Sequence, residues 1–406
     1  MAGKPGWSGP LRDAYLRPAA VSDAWRANGG RVAGLLGWSA PRELVAAAGM
    51  LPIRLSPRRL ARDGAPVAPP AVVGLTRELP PELARVVAAL LAGALDWVDA
   101  LLIGRDSEAH TKLFYVLREL RRSGAAPGLP PVAFFDLLRL RARTSARYNR
   151  LRAAELTETL AGWSGQPVTP ASLAAAVSES AATAAALRTL AALRTAPLSQ
   201  VAGSDALAAA GAAQVLPGPQ FRALLAAPAE PAGPAEPTGP AEPTEPTGPA
   251  GPAGPTGRAA PPPLARVFLT GSGQDDLWVY ETLEQQGLAV VGEDHEWGND
   301  GSEVPATTPD PLDGIVDRYH YAHGGAARAG LRDRTAQTAG RVRRARPDAV
   351  LHLVNEHDEA AGWELPALRD LLGAATPVLP VRLRDGDDRA PLHQAAARLL
   401  QEVRVG

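Results

Sequence analysis

The chain has 406 residues, a formal net charge of −1 and no cysteine, with 46% hydrophobic and 21% charged residues. The length suggests two or three domains, and the composition is typical of a globular protein. A balanced charge gives no broad field that would attract nucleic acid or an anionic membrane. Without cysteine, disulfides, thiolate zinc sites, cysteine-ligated iron–sulfur clusters and a cysteine nucleophile are excluded.

The first residues, MAGKPGWSGPLRDAYL, lack the continuous apolar core of a signal peptide or membrane anchor and carry charges at Arg12 and Asp13. No run of about 18 apolar residues occurs along the chain, so no transmembrane helix is predicted. We therefore expect a cytoplasmic protein with no membrane partner and no nucleic-acid partner.

Strand-length apolar runs alternate with helix-length segments over the first third of the chain. Short buried strands that alternate with helices indicate a parallel sheet covered by helices on both faces. The predicted strands are 31–36, 51–55, 99–104 and 130–137, and the predicted helices are 41–49, 80–94 and 108–122.

The composition then changes, because residues 143–226 are rich in alanine and are predicted to be helical. The longest helix is expected over 169–194, with Thr169 as its N-cap and Pro170 at its first position. This segment is predicted to form a helical subdomain.

A proline-rich stretch over 228–257 carries proline at every third position from Pro228 to Pro255. Polyproline II has three residues per turn, so these prolines would line one edge of an extended rod. Glutamates such as Glu230 and Glu236 stand where a collagen triple helix needs glycine. The stretch is interpreted as a semi-rigid spacer, and a docking strip for a proline-reading module is the alternative.

The alternation returns after the spacer, with strands predicted at 265–271, 288–294, 349–354 and 377–383, and helices at 275–287, 325–346, 366–374 and 389–403. The predicted fold class is therefore α/β, with two flavodoxin-like, doubly wound parallel-sheet domains and a helical subdomain between them. The domain boundaries are 1–142 for the N-terminal α/β domain, 143–226 for the helical subdomain, 227–263 for the linker and 264–406 for the C-terminal α/β domain.

Open parallel sheets bind ligands beyond the carboxyl ends of their strands, so the loops there are the candidate sites. After the 265–271 strand, the backbone amides of Gly271, Ser272 and Gly273 could cradle a phosphate or carboxylate. The alternative is a tight turn in which Asp275 or Asp276 caps the next helix.

The loop after the 349–354 strand reads Asn-Glu-His-Asp-Glu. His357 and Asp358 are candidates for acid–base catalysis, with neighbouring carboxylates tuning the histidine. Glu356 and Asp358, together with His352, could also bind a hard metal ion. The alternative is a solvated acidic loop that caps the following helix.

Two further sets of side chains are candidates. Glu108 and His110, with Thr111, begin the 108–122 helix, where they could face a ligand or only cap the helix together with Asp106 and Ser107. His320 and His323 are spaced i, i+3, but without a placed carboxylate they are interpreted as surface residues rather than a zinc site.

Three tryptophans, Trp38, Trp297 and Trp363, each follow a predicted strand. Indole rings at these positions could fill a cleft or form an apolar wall for an acyl chain or an adenine. Ordinary core packing is the alternative for each of them.

Several phrases resemble the 2-hydroxyacyl-CoA dehydratase and benzoyl-CoA reductase family. They are P-x-E-L-x-x-A-A-G-x-x-P-x-R-L at 41–55, H-T-x-L at 110–113, T-G-S-G-x-D-D at 270–276, D-R-Y at 317–319 and E-x-P at 364–366. The resemblance implies two flavodoxin-like domains plus a helical part, and subunits that pair with a related subunit. It also implies a [4Fe–4S] cluster that contacts an acyl-CoA thioester and receives an electron from an ATP-dependent activator.

The resemblance places the family's cluster cysteines at Gly37, Glu108, Asp358 and either Gly324 or Gly325, where this chain has no thiolate. We therefore expect no cofactor on this chain and a [4Fe–4S] cluster only on a partner. The ligand-binding candidates that the resemblance and the loops together indicate are Trp38, Ser39, Thr111, Gly271, Ser272, Gly273, Trp297 and Trp363.

The first functional hypothesis is a dehydratase-like subunit that binds an acyl-CoA or related thioester and pairs with a cluster-bearing paralogous subunit as a heterodimer, or self-associates. The second is a cluster-free binding or scaffold protein with two tethered α/β domains. The third is a repurposed cleft that performs acid–base chemistry through Glu108, His110, His357 or Asp358.

Overall fold

The structure is a computed structural model that describes residues 5–62, 70–196, 201–227, 263–298, 308–321, 330–384 and 388–405. The strands are β1 Arg31–Leu36, β2 Met50–Arg54, β3 Ala100–Gly104, β4 Val132–Phe135, β5 Ala265–Gly271, β6 Leu288–Glu293, β7 Ala349–Asn355 and β8 Val378–Leu383. The first nine helices are α1 Ser8–Leu16, α2 Pro18–Arg26, α3 Arg42–Ala47, α4 Pro57–Arg62, α5 Pro70–Thr76, α6 Pro81–Leu91, α7 Glu108–Arg122, α8 Arg143–Ser164 and α9 Pro170–Thr195. The remaining helices are α10 Gly203–Ala212, α11 Gly218–Leu225, α12 Trp278–Gln285, α13 Pro311–Tyr321, α14 Leu331–Ala345, α15 Glu359–Gly362, α16 Leu365–Leu372 and α17 Ala390–Val405.

The strands form two four-stranded sheets, ordered β2-β1-β3-β4 and β6-β5-β7-β8, in which every neighbouring pair is parallel. The predicted α/β fold with two flavodoxin-like parallel sheets is thus confirmed. In each sheet the strand order reverses between the first and third strands in sequence. Ligand crevices of doubly wound sheets open at such switch points.

Both sheets are covered by helices on both faces, which explains why their strands are continuous apolar runs. All five residues of β2 and of β3 are buried, and so are five of the six residues of β1. Because no face of these strands meets water, the alternating pattern of a half-exposed strand is lost.

The helical segment joins the two halves. Leu156 and Leu173, from α8 and α9, belong to the core under the N-terminal sheet. Leu207 and Phe221, from α10 and α11, share a core with Val267 of the C-terminal sheet. Thr169 caps α9 by accepting a hydrogen bond from Ser172 N, and Pro170 is the first helical residue, as predicted.

Other boundaries differ from the sequence-based expectations. The helix expected from residue 275 begins at Trp278, because Asp275 is used in a contact with the N-terminal half and Asp276 accepts a hydrogen bond from Trp278 N. The predicted start of the 325–346 helix and the proline-rich spacer lie outside the described residues. Within the described ranges, no helix is long and apolar enough to cross a membrane.

Candidate functional site

The switch point of the N-terminal sheet is bridged by a carboxylate. Asp106, just after β3, accepts hydrogen bonds from Trp38 N and, at 3.2 Å, from Ser39 N, just after β1. Arg139 Nη2 lies 3.0 Å from Asp106 Oδ1 and neutralises its charge. The turn that follows β1 is therefore tied to the end of β3.

A carboxylate also bridges the switch point of the C-terminal sheet. The Ser272 hydroxyl donates to Asp358 Oδ2 at 2.7 Å and accepts from Asn355 N at 2.9 Å. Ser272 N donates to Leu353 O at 2.8 Å, so this amide is already used and does not contribute to the predicted anion cradle. The two predicted loops, 270–273 and 355–359, lie side by side, but their polar groups form hydrogen bonds with each other.

The carboxyl edges of the two sheets face each other across a cleft. Arg54, at the end of β2, donates to Gln214 Oε1 at 2.8 Å and to Glu296 O, after β6, at 2.9 Å. Its guanidinium lies 4.1 Å from the centre of the Trp297 ring. Nearby, Ser56 Oγ donates to Asp275 Oδ2 at 2.9 Å. Burial raises the pKa of Asp275, while Arg58 acts in the opposite direction.

A buried carboxylate, Glu43 of α3, anchors helix α13 to this cleft. It forms an ion pair with Arg318 and accepts hydrogen bonds from Ser180 Oγ and Tyr319 Oη, both at 2.7 Å. Burial alone would raise the pKa of Glu43, but the Arg318 charge and the two hydrogen bonds lower it overall. Glu43 is therefore held ionised.

A cavity of about 510 Å³ opens between the N-terminal sheet, the helical segment and the C-terminal half. Its lining residues include Trp38, Arg42, Glu43, Gln214, Glu296 and Tyr319. The Trp38 and Tyr319 rings meet edge to face, with their centres 5.1 Å apart. A volume of this size falls in the range of about 300–1,000 Å³ that is usual for small-molecule sites.

The protein-family model described as "2-hydroxyglutaryl-CoA dehydratase, D-component" matches residues 37–399. The chain belongs to this family. The match covers strands β2 through β8 and the helical segment, and so most of the cleft. No curated protein matches the chain.

The residues of this dehydratase-family chain do not fit the cluster that the family implies. The chain has no cysteine to supply a thiolate. At Gly37, where the family resemblance places a cysteine, φ is +85° and an added Cβ would lie 2.7 Å from Asp106 Oδ2 and 3.0 Å from Gly104 O. A side chain at residue 37 would thus displace the carboxylate that bridges the switch point.

The predicted acid–base residues do not converge in this family member. Glu108 is exposed and lies 3.6 Å from Arg105, while Ser107 Oγ lies 2.9 Å from His110 Nδ1. Thr111, beside them, is partly buried. His357 is exposed on the C-terminal half, and Asp358 accepts a hydrogen bond from Ser272.

The three tryptophans differ in their surroundings. Trp38 lines the cavity, Trp297 is buried under the Arg54 guanidinium, and Trp363 is 75% exposed. His320, which was interpreted as a surface residue, is in fact buried, with Nδ1 2.9 Å from Leu138 O. His323 lies outside the described residues.

The predicted hard-metal site is not arranged for binding. Within the part of the chain that the structure describes, no group of three or more His, Cys, Asp or Glu side chains could hold a metal ion. His352 instead belongs to a buried cluster in the C-terminal half, where Arg334 pairs with Asp294 at 2.9 Å and with Glu364 at 3.2 Å.

Apart from Trp38, the sequence analysis did not assign to the site the side chains that line the cavity. Glu43 and the Arg318–Tyr319 pair occur in the phrases that indicated the family, P-x-E-L and D-R-Y, but they were not assigned to the site. A glutamate surrounded by apolar residues of α3 is the signal that could have identified Glu43, because such a charge needs a buried partner. No comparable signal exists for Gln214.

Proposed function

We propose that this chain is an accessory subunit of a 2-hydroxyacyl-CoA dehydratase-like system, and that its cleft cavity binds the acyl part of an acyl-CoA or a related acyl thioester. A paralogous subunit that carries the iron–sulfur cluster would supply the electron chemistry. The observation that carries the binding proposal is the cavity of about 510 Å³ between the facing sheet edges.

The walls of the cavity suit an acyl chain. Leu35, Met50 and Leu187 contribute apolar surface, and the Trp38 ring stands beside them. Methionine adapts its shape to irregular ligands, and aromatic rings provide large rigid contact areas. Polar and charged side chains such as Glu43 interrupt this apolar wall, and groups of this kind orient the ligand in small-molecule sites.

The accessory role is supported by the carboxylates that bridge the two switch points. Asp106 occupies the space beside Gly37, and Ser272 is bonded to Asp358. A cluster on this chain would need soft sulfur ligands, which neither carboxylates nor glycine replace. The acid–base candidates are spread over two surfaces, so catalysis by this chain alone has less support than a binding role.

Isothermal titration with a series of saturated acyl-CoAs tests binding, and adjacent alanines of α9 provide matched variants. Ala174 and Ala175 are both exposed, but only Ala175 lines the cavity. Ala175→Trp should weaken acyl-CoA binding by at least about tenfold, since an indole would occupy the space for the ligand. Ala174→Trp should bind as the wild type does. Failure of the wild-type protein to bind any acyl-CoA would contradict the proposal and favour the scaffold hypothesis.

Affinity purification of the tagged chain from its native host tests the partner. A cysteine-containing paralogue should co-elute with the chain in a fixed ratio, together with iron and sulfide. Recovery of the chain alone or as a self-associated species, without iron, would contradict the heterodimer.

A further inference from the structure

Four large apolar side chains lie exposed where the two halves of the chain meet. Leu140 and Trp363 are each 75% exposed, the highest values among the large apolar side chains of the described residues. Tyr321 is 46% exposed and Leu331 is 45% exposed. Single exposed apolar residues are common on protein surfaces, whereas a group of them marks an interaction site. The significance of these four therefore depends on whether they are neighbours.

Leu140 and Tyr321 are neighbours because their segments are in direct contact. His320 Nδ1, one residue before Tyr321, lies 2.9 Å from Leu138 O. Asn149 braces the same segment, since its side chain accepts a hydrogen bond from Leu138 N and donates one to Leu138 O, both at 2.8 Å. The loop that carries Leu140 is therefore fixed in place while the leucine side chain remains in solvent.

Leu331 and Trp363 lie at the adjacent starts of two helices. Leu331 is the first residue of α14, and Trp363 directly precedes Glu364, the N-cap of α16. The two helix starts are close together because Arg334 Nε donates to Glu364 Oε1 at 3.2 Å. Trp363 is thus held by a buried contact immediately beside it.

One ion pair joins the two groups of apolar residues. Arg141, which follows Leu140, pairs with Asp333 in the first turn of α14 at 3.3 Å. The exposed apolar residues therefore form one area, which we call the seam surface. It consists of Leu140, Tyr321, Leu331 and Trp363.

The border of the seam surface is basic. Arg143 and Arg147, one turn apart at the start of α8, and Arg332 of α14 are exposed and make no ion pair with the residues that the structure describes. The first turn of α8 contains no acidic residue that would offset the first two. Asp333 lies among these arginines, but it is already paired with Arg141.

The acidic loop after β7 offsets this charge only in part. Asp358 accepts hydrogen bonds from Ser272 Oγ at 2.7 Å and from Ala361 N at 3.3 Å. Its carboxylate is therefore used at the switch point of the C-terminal sheet and at the start of α15. The positive charge on the α8 side of the seam surface remains available to a partner.

We propose that the seam surface is the docking site for the cluster-bearing partner subunit, which meets it with an apolar pocket bordered by acidic side chains; this inference rests on the proposed function. Exposed aromatic and aliphatic side chains surrounded by charge have the composition of an interface core and its rim. Because Leu140 and Trp363 are held in place before binding, docking costs little conformational entropy. Leu140 follows β4 and Trp363 follows β7, so a partner on this surface lies beside the carboxyl edges of both sheets, where the cleft opens.

Binding of the purified partner tests the apolar part of the surface. The cysteine-containing paralogue recovered with the tagged chain is expressed separately, and its affinity for each variant is measured by isothermal titration. Trp363→Ala and Leu140→Ser should each weaken binding by at least about tenfold, because they truncate central apolar anchors. Both side chains are largely in solvent, so neither change should disturb the fold.

Leu193→Ser is the matched control for the apolar variants. Leu193 is 57% exposed on α9. It lies near the amino edge of the C-terminal sheet, since Arg266, the second residue of β5, donates to Thr195 O at 2.9 Å. This edge is opposite the cleft, so the variant should bind the paralogue as the wild type does.

Charge reversal tests the acidic border of the partner. Arg143→Glu/Arg147→Glu should slow association with the paralogue by at least about tenfold at low salt and remove the decrease in rate that added salt causes in the wild type. The control is Arg85→Glu/Arg121→Glu, two exposed arginines on the helices that cover the opposite face of the N-terminal sheet. This control should retain the association rate within about threefold.

The outcomes separate the inference from the proposed function. Equal affinity of the paralogue for the wild type, Trp363→Ala and Leu140→Ser would overturn the docking site and leave the proposed partner intact. An unchanged association rate after reversal of Arg143 and Arg147 would overturn the acidic border. Dimers of the wild-type chain in sedimentation that are lost in Trp363→Ala would assign the surface to a second copy and overturn the inference. If no paralogue co-elutes with the wild type, the proposed partner and this inference are both refuted.

Discussion

Glu364 Oε2 and His352 Nε2 lie 4.0 Å apart in the interior of the C-terminal half. Neither atom forms a hydrogen bond with the residues that the structure describes. Burial raises the pKa of Glu364 to about 7 and lowers the pKa of His352 to about 4. Both groups are therefore neutral over a range of pH in which both would be charged in the unfolded chain.

This pair makes opposite contributions to the pH dependence of stability. The pKa of Glu364 is higher in the folded protein than its ordinary value of 4.5. Its contribution to the free energy of unfolding is therefore present at low pH and is lost as pH rises towards about 7. The pKa of His352 is lower in the folded protein than its ordinary value of 6.5. Its contribution to the free energy of unfolding is therefore present above pH 6.5 and is lost as pH falls towards about 4. Between about pH 4.5 and 6.5 the two contributions change with pH in opposite directions, so their slopes cancel.

Glu364→Gln should reveal the histidine contribution. Relative to the wild type, its free energy of unfolding should increase with pH between about 4.5 and 6.5, by up to about 1.4 kcal/mol per unit, since one proton is then bound only by the unfolded state. Urea unfolding of both proteins across this window measures the difference. Parallel pH profiles would show that Glu364 is ionised in the folded protein.

His352→Gln should give the opposite slope. With the histidine removed, the stability relative to the wild type should decrease as pH rises from about 4.5 to 6.5, because the proton that Glu364 binds only in the folded state is no longer offset by the proton that His352 binds only in the unfolded state. The same unfolding measurement applies. The double variant Glu364→Gln/His352→Gln serves as the control, and its profile should again parallel that of the wild type.

Arg334→Met should destabilise the protein strongly. Arg334 is buried and donates to Asp294 at 2.9 Å and to Glu364 at 3.2 Å, so its removal takes away the main counter-charge of the buried Asp294 carboxylate. A loss of about 3–5 kcal/mol in the free energy of unfolding is expected at neutral pH. Arg332→Met, on the exposed side of the same helix, is the control and should change stability by less than about 0.5 kcal/mol. Equal effects of the two substitutions would contradict the role of the buried pair.

The fold was predictable because it rests on local patterns. Buried parallel strands are short apolar runs, and the eight runs identified in the sequence correspond to β1 through β8. The N-cap of α9 was predictable for the same reason, since Thr169, Pro170 and Ser172 are close in sequence. Short helices such as α4 and α15 were not foreseen, because a single helical turn has no periodicity to recognise.

The candidate site was predictable only in part. Topology located the loops at the carboxyl ends of the strands, and Trp38 does line the cavity. The Glu43–Arg318 pair joins residues 275 positions apart, and the contact of Arg54 with Glu296 spans 242 positions. No local pattern encodes which distant charges meet, so neither contact could be predicted from the sequence.

Gly37→Ala should destabilise the protein more than the same substitution at Gly29. Both glycines have φ close to +80°, with values of +85° at Gly37 and +77° at Gly29, so the backbone cost of an alanine is similar, about 1 kcal/mol. At Gly29 an added Cβ meets nothing within 4 Å, whereas at Gly37 it would lie 2.7 Å from Asp106 Oδ2. The additional cost at Gly37 should be about 1–3 kcal/mol, because Asp106 must release Trp38 N or Ser39 N.

A double-mutant cycle with Asp106→Ala assigns this additional cost. Once the carboxylate is removed, Gly37→Ala should cost less than it does in the wild type, since the backbone strain and the 3.0 Å approach to Gly104 O remain but the contact with Asp106 does not. Urea unfolding of the four proteins of the cycle gives the coupling energy between residues 37 and 106. A coupling energy near zero would show that the carboxylate does not close the space beside Gly37, and the main structural reason for placing the cluster on a partner would be lost.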